Sequence, residues 1–200
     1  MKKITKTIFF NNIGLTCNFA ELMDNNPRME NLDKIELLIL DVDGVLTDGS
    51  IIVNADGSET KSFNVRDGHG IRLWQRAGFK TAIISGRTSP PTKIRAAELG
   101  IEHVLEGCHY KLPALEKLLD ELGLAPENVA YIGDDLPDLP VLRCVGFGAA
   151  VADADDEVKK NADYVTSKPA GRGAVREVIE YILKSKGKWQ DLMKRYLPDA

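Results

Sequence analysis

The stretch ELLILDVDG at residues 36–44 decides the fold class of this chain. Its first part, ELLILDV at 36–42, is nearly continuous in apolar residues and does not alternate. Such a pattern is typical of a strand buried on both faces, as in a parallel sheet that helices cover. Asp41 and Asp43 stand where this strand ends, and ligands of open α/β sheets bind beyond the carboxyl ends of the strands. The stretch therefore predicts a parallel sheet with a polar site at its edge.

Apolar runs and helical patterns alternate from this first strand to about residue 187. The predicted strands cover 36–42, 81–86, 103–107, 128–134, 147–151 and 163–166, and the predicted helices cover 70–78, 92–100, 111–123, 138–145, 155–161 and 174–187. Residues 51–65 depart from this alternation and read as a hairpin, because Asn54, Asp56 and Gly57 form a turn between two strand-like segments. The order predicts an α/β fold, a doubly wound and mostly parallel open sheet of about five strands, with a small β-hairpin flap after the first strand.

The composition limits the partners of the chain. Its 200 residues are 44% hydrophobic and 28% charged, with a net charge of -4, so no basic surface for nucleic acid is expected. No apolar run approaches the length of a membrane span, which is about 18 residues. Three cysteines without CxxC spacing fit neither a disulfide framework nor a zinc site. We expect a cytoplasmic protein with reduced thiols and a small-molecule substrate.

The chain divides into three predicted parts. These are a flexible N-terminal extension at 1–31, a compact domain at 32–187 and a helical tail at 188–200. The first part is rich in asparagine and has no periodicity, whereas apolar residues recur at helical spacing in the tail. A secretory signal is not expected, because Asn11 and Asn12 interrupt the early apolar run and no small-residue cleavage site follows.

Four predicted strand ends carry polar groups. Asp41 and Asp43 follow the first strand, Ser85 ends the second, Lys111 follows the third and Asp134 ends the fourth. Three neighbouring aspartates repel one another unless a hard cation lies among them, and carboxylate oxygens suit Mg²⁺. The hydroxyl and the ammonium can stabilise the charge of a phosphoryl group during its transfer. The sequence therefore predicts a magnesium site that receives a phosphate.

The motifs around these residues occur in the order typical of one superfamily. They are DVDGVLTDG at 41–49, ISGR at 84–87, the lysine at 111 and GDD at 133–135. From about Ile35 to Gly187 the chain resembles the haloacid dehalogenase superfamily of phosphotransferases. The resemblance implies a Rossmann-like core and a phosphoric monoester hydrolase that works through an aspartyl phosphate.

The same resemblance implies a role for each of the five residues. Asp41 would be the nucleophile and a magnesium ligand, and Asp43 would be the general acid and base, with its backbone carbonyl as a second ligand. Ser85 would hydrogen-bond the phosphoryl oxygens and Lys111 would neutralise their charge. Asp134 would complete the metal set.

Within the superfamily the chain is most similar to the capless 3-deoxy-D-manno-octulosonate 8-phosphate (KDO 8-phosphate) phosphatases. The segments that carry this similarity are FNVRDGHGI (63–71), IISGR (83–87), KIRAAELGI (93–101), ENVAYIGDDLPDLPVL (127–142), VADA (151–154) and ADYVTSKPAGRGAVREV (162–178). The resemblance implies a sugar acid phosphate as substrate, a place in lipopolysaccharide precursor synthesis and a homotetramer.

The motif spacing supports a capless, oligomeric enzyme. The residues between Asp41, Ser85 and Lys111 suffice for the hairpin, two helices and a strand, so no cap domain fits between them. A reactive site at a bare sheet edge needs a cover that excludes water. The simplest cover is a second copy of the chain, and the apolar residues of the hairpin at 51–65 could contact it.

A sugar acid phosphate is an anion at both ends, so its site needs cations and hydrogen-bond donors beyond the metal. Arginines can bind carboxylate or phosphate through paired hydrogen bonds, asparagine can donate to a hydroxyl or carboxylate, and glycines at a helix start allow close approach of the backbone. The predicted substrate-binding set is Asp43, Asn64, Arg66, Gly68, Gly70, Arg87, Arg95 and Lys111.

Three alternatives remain open from the sequence. The first is the same chemistry on a nine-carbon sugar acid 9-phosphate, such as a sialic acid or deaminated sialic acid phosphate. The second is a phospho-receiver module, although such a module has its acidic pair on the first strand and a lone phosphorylated aspartate on a later one. The third is a non-catalytic binding module, against which the complete set of Asp41, Asp43, Lys111 and Asp134 argues.

Overall fold

The computed structural model describes residues 32–197. The predicted extension at 1–31 and the last residues of the tail, 198–200, lie outside the described residues. Among the described helices, none is long and apolar enough to cross a bilayer.

A six-stranded sheet forms the centre of the domain, and all of its strand pairs are parallel. The strands between residues 32 and 197 are β1 (Leu37–Leu40), β2 (Ile52–Val53), β3 (Glu59–Thr60), β4 (Lys80–Ile84), β5 (His103–Leu105), β6 (Val129–Gly133), β7 (Phe147–Ala150) and β8 (Tyr164–Val165). The sheet order is β5-β4-β1-β6-β7-β8, while β2 and β3 pair separately as an antiparallel hairpin. The predicted α/β class is confirmed, and each of the six predicted strand segments contributes one strand to this sheet, against the overall estimate of about five.

In the described part of the chain, seven α-helices surround the sheet. They are α1 (Val65–Arg76), α2 (Pro90–Leu99), α3 (Lys111–Leu122), α4 (Leu139–Cys144), α5 (Asp156–Asn161), α6 (Ala174–Ser185) and α7 (Trp189–Met193). Helix α1 packs against α2 and α6, and α4 packs against α3 and α5. Every residue of β1, β6 and β7 is buried. This double burial explains why ELLIL in the first strand does not alternate.

The chain order places a ligand crevice beside β1. From β1 the chain winds outward through β4 to β5, and it then returns to the other side of β1 for β6, β7 and β8. The point where such an order reverses, at the carboxyl ends of the central strands, is where doubly wound sheets bind ligands. The residues that follow β1, β4 and β6 therefore share one edge.

The hairpin is shorter and α1 longer than the sequence predicted. Hairpin pairing is limited to β2 and β3, and α1 begins at Val65 instead of Gly70. The reason is the cap at Asn64, whose Oδ1 accepts the backbone N–H of Arg66 at 2.8 Å. The glycines in the first turns had lowered the predicted helix propensity. Gly70 is nevertheless a packing residue, because a Cβ there would lie 2.9 Å from Arg176 Cδ of α6.

Candidate active site

A cleft of about 300 Å³ opens at the carboxyl ends of β1, β4 and β6. Its lining residues are Asp41, Asp43, Ser85, Gly86, Arg87, Lys111, Asp135, Pro137 and Asp138. The predicted catalytic residues thus meet at one place, although the sequence separates them widely. They do so because parallel strands end at the same edge of the sheet.

A buried ammonium lies between two carboxylates at the floor of the cleft. Lys111 Nζ is 2.9 Å from Asp41 Oδ1 and 2.5 Å from Asp138 Oδ1, and both aspartates are almost fully buried. Burial alone would lower the pKa of Lys111, but the charges of Asp41 and Asp138 raise it above its ordinary value. Lys111 therefore stays protonated and holds one oxygen of Asp41 in place.

Asp138 joins this lysine to the loop that follows β6. Its Oδ1 also accepts the hydroxyl of Tyr131 at 2.5 Å, and its Oδ2 accepts the backbone N–H groups of Asp134 at 2.9 Å and Asp135 at 3.2 Å. The sequence analysis assigned no role to Asp138 or Tyr131. The available signal was the position of Asp138 just after GDD, in the 3₁₀ turn Leu136–Asp138.

The carboxylate of Asp134 completes an acidic cluster. One oxygen each from Asp41, Asp134 and Asp138 lie within 4.8 Å of one another. Burial, followed by the charge of Asp138, raises the pKa of Asp41 to about 6. Burial, followed by the charges of Asp41 and Asp138, raises the pKa of Asp134 to about 8. One ammonium cannot neutralise three carboxylates, so the cluster retains negative charge when all three are ionised.

These features fit a hard divalent cation. Asp134 Oδ1 is buried and has no hydrogen-bond partner, while the oxygens of Asp138 are already engaged. Asp41 and Asp134 can each supply a carboxylate oxygen beside an open cleft. Mg²⁺ uses few protein oxygen ligands of this kind when it keeps several waters. In the predicted metal set, Asp41 and Asp134 lie in this cluster, whereas the carboxylate of Asp43 points to other partners.

Asp43 is bound by two cations on the opposite side of the cleft. Its Oδ1 accepts from Nζ of Lys61, which comes from the hairpin segment, and its Oδ2 is 3.6 Å from Nε of Arg87. The sequence analysis missed Lys61. Arg87 itself is half-exposed and donates to Glu59 Oε1 at 2.8 Å, so it stands at the rim of the cleft.

Ser85 lies where β4 ends, and its side chain is buried. Its Oγ accepts the backbone N–H of Arg87 at 3.3 Å. The hydroxyl hydrogen is not used in that contact. It can therefore be donated to an oxygen of a bound ligand.

The remaining predicted substrate-binding residues lie on or beside α1, outside the lining of the cleft. Asn64 caps α1 and donates to the carbonyl of Gly171 at 3.2 Å, so both ends of its amide are engaged. Arg66 is exposed. Gly68 makes room for Arg95, because a Cβ there would lie 2.3 Å from its guanidinium, and Arg95 donates to Glu98 at 3.1 Å. With Gly70 packed on α6, only Asp43, Arg87 and Lys111 of that set line the cleft.

Comparisons with known proteins agree on one family. A family model described as haloacid dehalogenase-like hydrolase matches residues 104–179. The 3-deoxy-D-manno-octulosonate 8-phosphate phosphatase of Escherichia coli strain K12 is 52% identical over 173 residues, which are 86% of this chain and 90% of that protein.

Solved structures of similar proteins share the fold. The 3-deoxy-D-manno-octulosonate 8-phosphate phosphatase of Yersinia pestis superimposes with a TM-score of 0.80 at 47% identity, over 82% of this chain and 89% of that one. The corresponding phosphatase of Moraxella catarrhalis, solved in complex with magnesium ion, phosphate ion and KDO, gives a TM-score of 0.83 at 43% identity, over 86% of this chain and 99% of that one.

Replacing Asp138 tests how much this buried network stabilises the fold. Asp138→Ala removes one carboxylate partner of Lys111, the acceptor of the buried Tyr131 hydroxyl and the acceptor of two part-buried backbone N–H groups. A buried donor left without an acceptor costs about 1–3 kcal/mol, and the part-buried ones cost less. We expect the free energy of unfolding to fall by about 3 kcal/mol, because these losses exceed the relief of repulsion from Asp41 and Asp134. Denaturant unfolding measures the change. Asp156→Ala, which breaks an exposed ion pair with Lys159, is the control and should change nothing measurable; an equal loss in both variants contradicts the prediction.

Proposed function

Because the chain belongs to the 3-deoxy-D-manno-octulosonate 8-phosphate phosphatase family of haloacid dehalogenase-like hydrolases, and is therefore a phosphoric monoester hydrolase, we propose that it hydrolyses KDO 8-phosphate to KDO and phosphate. The observation that carries this proposal is the meeting of Asp41, Lys111 and the unpartnered oxygen of Asp134 at one edge of the sheet. Because the chain belongs to a family of hydrolases, we no longer consider the alternatives of a phospho-receiver module and a non-catalytic binding module.

The proposal includes a magnesium ion held by Asp41, Asp134 and the backbone carbonyl of Asp43. When bound, the ion acts as a Lewis acid that offsets the negative charge of phosphate and carboxylates. The buried cluster of carboxylates with a single ammonium supports this assignment. So does the relative from Moraxella catarrhalis, whose structure contains magnesium ion, phosphate ion and KDO.

In the proposed first step, a carboxylate oxygen of Asp41 attacks phosphorus. A bond forms between that oxygen and phosphorus, the bond from phosphorus to the sugar oxygen breaks, and Asp43 gives its proton to the departing oxygen. Lys111 keeps Asp41 ionised and oriented, since its ammonium lies 2.9 Å from Oδ1. Ser85 donates its free hydroxyl hydrogen to a phosphoryl oxygen.

In the proposed second step, water hydrolyses the aspartyl phosphate. Asp43, now a carboxylate, takes a proton from the water as its oxygen attacks phosphorus. Asp41 leaves with its original charge, and inorganic phosphate is released. The two steps together return every catalytic group to its starting state.

Substrate recognition is assigned to the cations near the cleft. Arg87 is the one best supported, because its guanidinium is half-exposed at the rim and can turn to a carboxylate or phosphate. Asn64, Arg66, Gly68, Gly70 and Arg95 remain part of the proposal. They would act on the part of the substrate that extends beyond the cleft towards α1.

The proposed working form is a cytoplasmic homo-oligomer, a tetramer as the sequence resemblance implies. The exposed apolar side chains of the hairpin support it, since Ile51, Ile52 and Val53 are 45%, 45% and 69% exposed. Contiguous exposed apolar residues are typical of a protein interface. Light scattering of the full chain decides between this form and a monomer.

The substrate assignment is tested by steady-state turnover. We expect the highest kcat/KM for KDO 8-phosphate and a lower value for nine-carbon sugar acid 9-phosphates, because the distance between the two anionic ends of the substrate must match the distance from the metal site to the cations at the rim. Release of inorganic phosphate is the measurement. A preference for a nine-carbon substrate would overturn the assignment of KDO 8-phosphate as substrate, but it would not affect the proposed two-step phosphoryl transfer.

The nucleophile is tested by Asp41→Asn. The amide cannot form the aspartyl phosphate, so we expect phosphate release from KDO 8-phosphate to fall to background while the melting transition is retained. Incubation of the unaltered enzyme with substrate, followed by acid quenching and mass spectrometry, should show one added phosphoryl group, absent from the variant. Full activity of Asp41→Asn would remove Asp41 from this role.

The metal site is tested through the pH dependence of magnesium binding. The raised pKa of Asp134, about 8, means that the metal-free fold favours the protonated acid. That contribution to stability is fully present below the ordinary pKa of 3.8 and is lost progressively as the pH rises to about 8. Magnesium needs the ionised form, so its effect on the melting temperature should be larger at about pH 9 than at about pH 6. Asp134→Asn is the matched control and should show no magnesium effect at either pH; an undiminished shift in that variant contradicts the site.

A further inference from the structure

Lys61 is an unusual residue for an exposed hairpin. It follows β3, and most of the hairpin around it is in contact with solvent, yet its side chain is fully enclosed at 0% exposure. Its Nζ contacts Asp43 Oδ1 and lies 3.5 Å from Glu59 Oε1. Burial of an ammonium is unfavourable unless anions compensate for the lost water, so these two contacts explain why it can be enclosed.

Four charged groups form what we call the acid–base cluster: Asp43, Glu59, Lys61 and Arg87. Arg87 Nη2 donates to Glu59 Oε1 at 2.8 Å, and Arg87 Nε lies 3.6 Å from Asp43 Oδ2. Each carboxylate therefore has two cationic neighbours, and the cluster is neutral when both acids are ionised. The hairpin contributes one acid and one base to it, and thereby fixes the surroundings of Asp43.

The two oxygens of Asp43 are held differently. Oδ1 is in direct contact with Lys61, whose side chain is shielded from solvent. Oδ2 faces the half-exposed Arg87 across a gap that is too long for a hydrogen bond. When Arg87 turns to an anionic group of the substrate, Oδ2 becomes free, while Oδ1 remains anchored.

We propose that Lys61 is a positioning residue for Asp43, which it holds through Oδ1 so that Oδ2 exchanges protons with the reacting oxygens. This inference rests on the proposed role of Asp43. In the first step the proton on Oδ2 passes to the departing sugar oxygen, and in the second step a proton of the attacking water passes to Oδ2. In this role Lys61 takes no part in the proton transfers and acts on the reaction only through Asp43.

A double-mutant cycle tests this role. The full-length variants are Lys61→Met, Asp43→Asn and the two combined, each assayed for kcat and KM with KDO 8-phosphate at saturating Mg²⁺. Loss of a general acid and base costs about 10²- to 10⁴-fold, and Lys61→Met should lose part of it, at least about tenfold in kcat, with little change in KM. In the Asp43→Asn background Lys61→Met should cost nothing further, because a positioning residue has no effect once the group it positions is gone.

Lys61→Arg and Lys160→Met complete the experiment. Lys61→Arg restores a cation and should recover part of the lost kcat, which keeps the test decisive if the methionine variant melts near the assay temperature. If the methionine variant does melt near the assay temperature, Lys61→Gln replaces Lys61→Met in the cycle. Lys160 forms an exposed ion pair with Glu157, and Lys160→Met should leave kcat unchanged.

The outcomes separate this inference from the proposed function. A full kcat in Lys61→Met, or a loss that adds in full to that of Asp43→Asn, overturns the positioning role and leaves the proposed function standing. An Asp43→Asn enzyme that turns over like the unaltered one overturns the role of Asp43 itself. A loss confined to KM would assign Lys61 to substrate binding and would also overturn the inference.

Discussion

The placement of one buried ammonium among three carboxylates governs the active-site edge of the sheet. Lys111 contacts Asp41 and Asp138, and the carboxylate of Asp134 remains without a hydrogen-bond partner for one oxygen. Like charges at this separation are tolerated in a low-dielectric site only when cations offset them. The parallel register of β1 and β6 pairs Leu40 with Ile132, so Asp41 and Asp134 follow the two strand ends with an offset of one residue. The sheet topology thus brings together carboxylates whose mutual repulsion a divalent cation offsets.

The backbone of the two acidic loops must leave room for these carboxylates. Gly44 has a φ of +86°, and a Cβ there would lie 2.1 Å from Asp134 Oδ2. A Cβ at Gly133 would lie 2.6 Å from Cβ of Asp138. Any side chain at either position would displace a member of the cluster. The glycines of DVDG and GDD are therefore explained by close packing around the charges, in addition to the turn that Gly44 makes.

The sequence predicted the features that depend on periodicity and chain order. Uninterrupted apolar runs located β1 and β6, and their ends located Asp41 and Asp134, because a parallel sheet aligns its carboxyl ends without further information. The predicted start of α1 was wrong, since Asn64 was assigned to the hairpin at 51–65 and the helix was predicted to begin only at Gly70. Close contact of those glycines with Arg95 and α6 overrides their low helix propensity. Such contacts between distant segments have no local signature.

The contributions of Asp138 and Lys61 escaped the sequence analysis for the same reason, and their positions link the hairpin to the chemistry. In the hairpin Glu59 and Lys61 hold Asp43 and Arg87, while Ile52 and Val53 of β2 are exposed to solvent. A two-stranded hairpin with so few paired residues has little stability of its own. Contacts that cover the apolar residues of β2 would therefore also stabilise the position of Glu59 and Lys61. If the proposed oligomer forms through this hairpin, assembly and the position of the acid–base carboxylate are coupled, because the same short segment serves both.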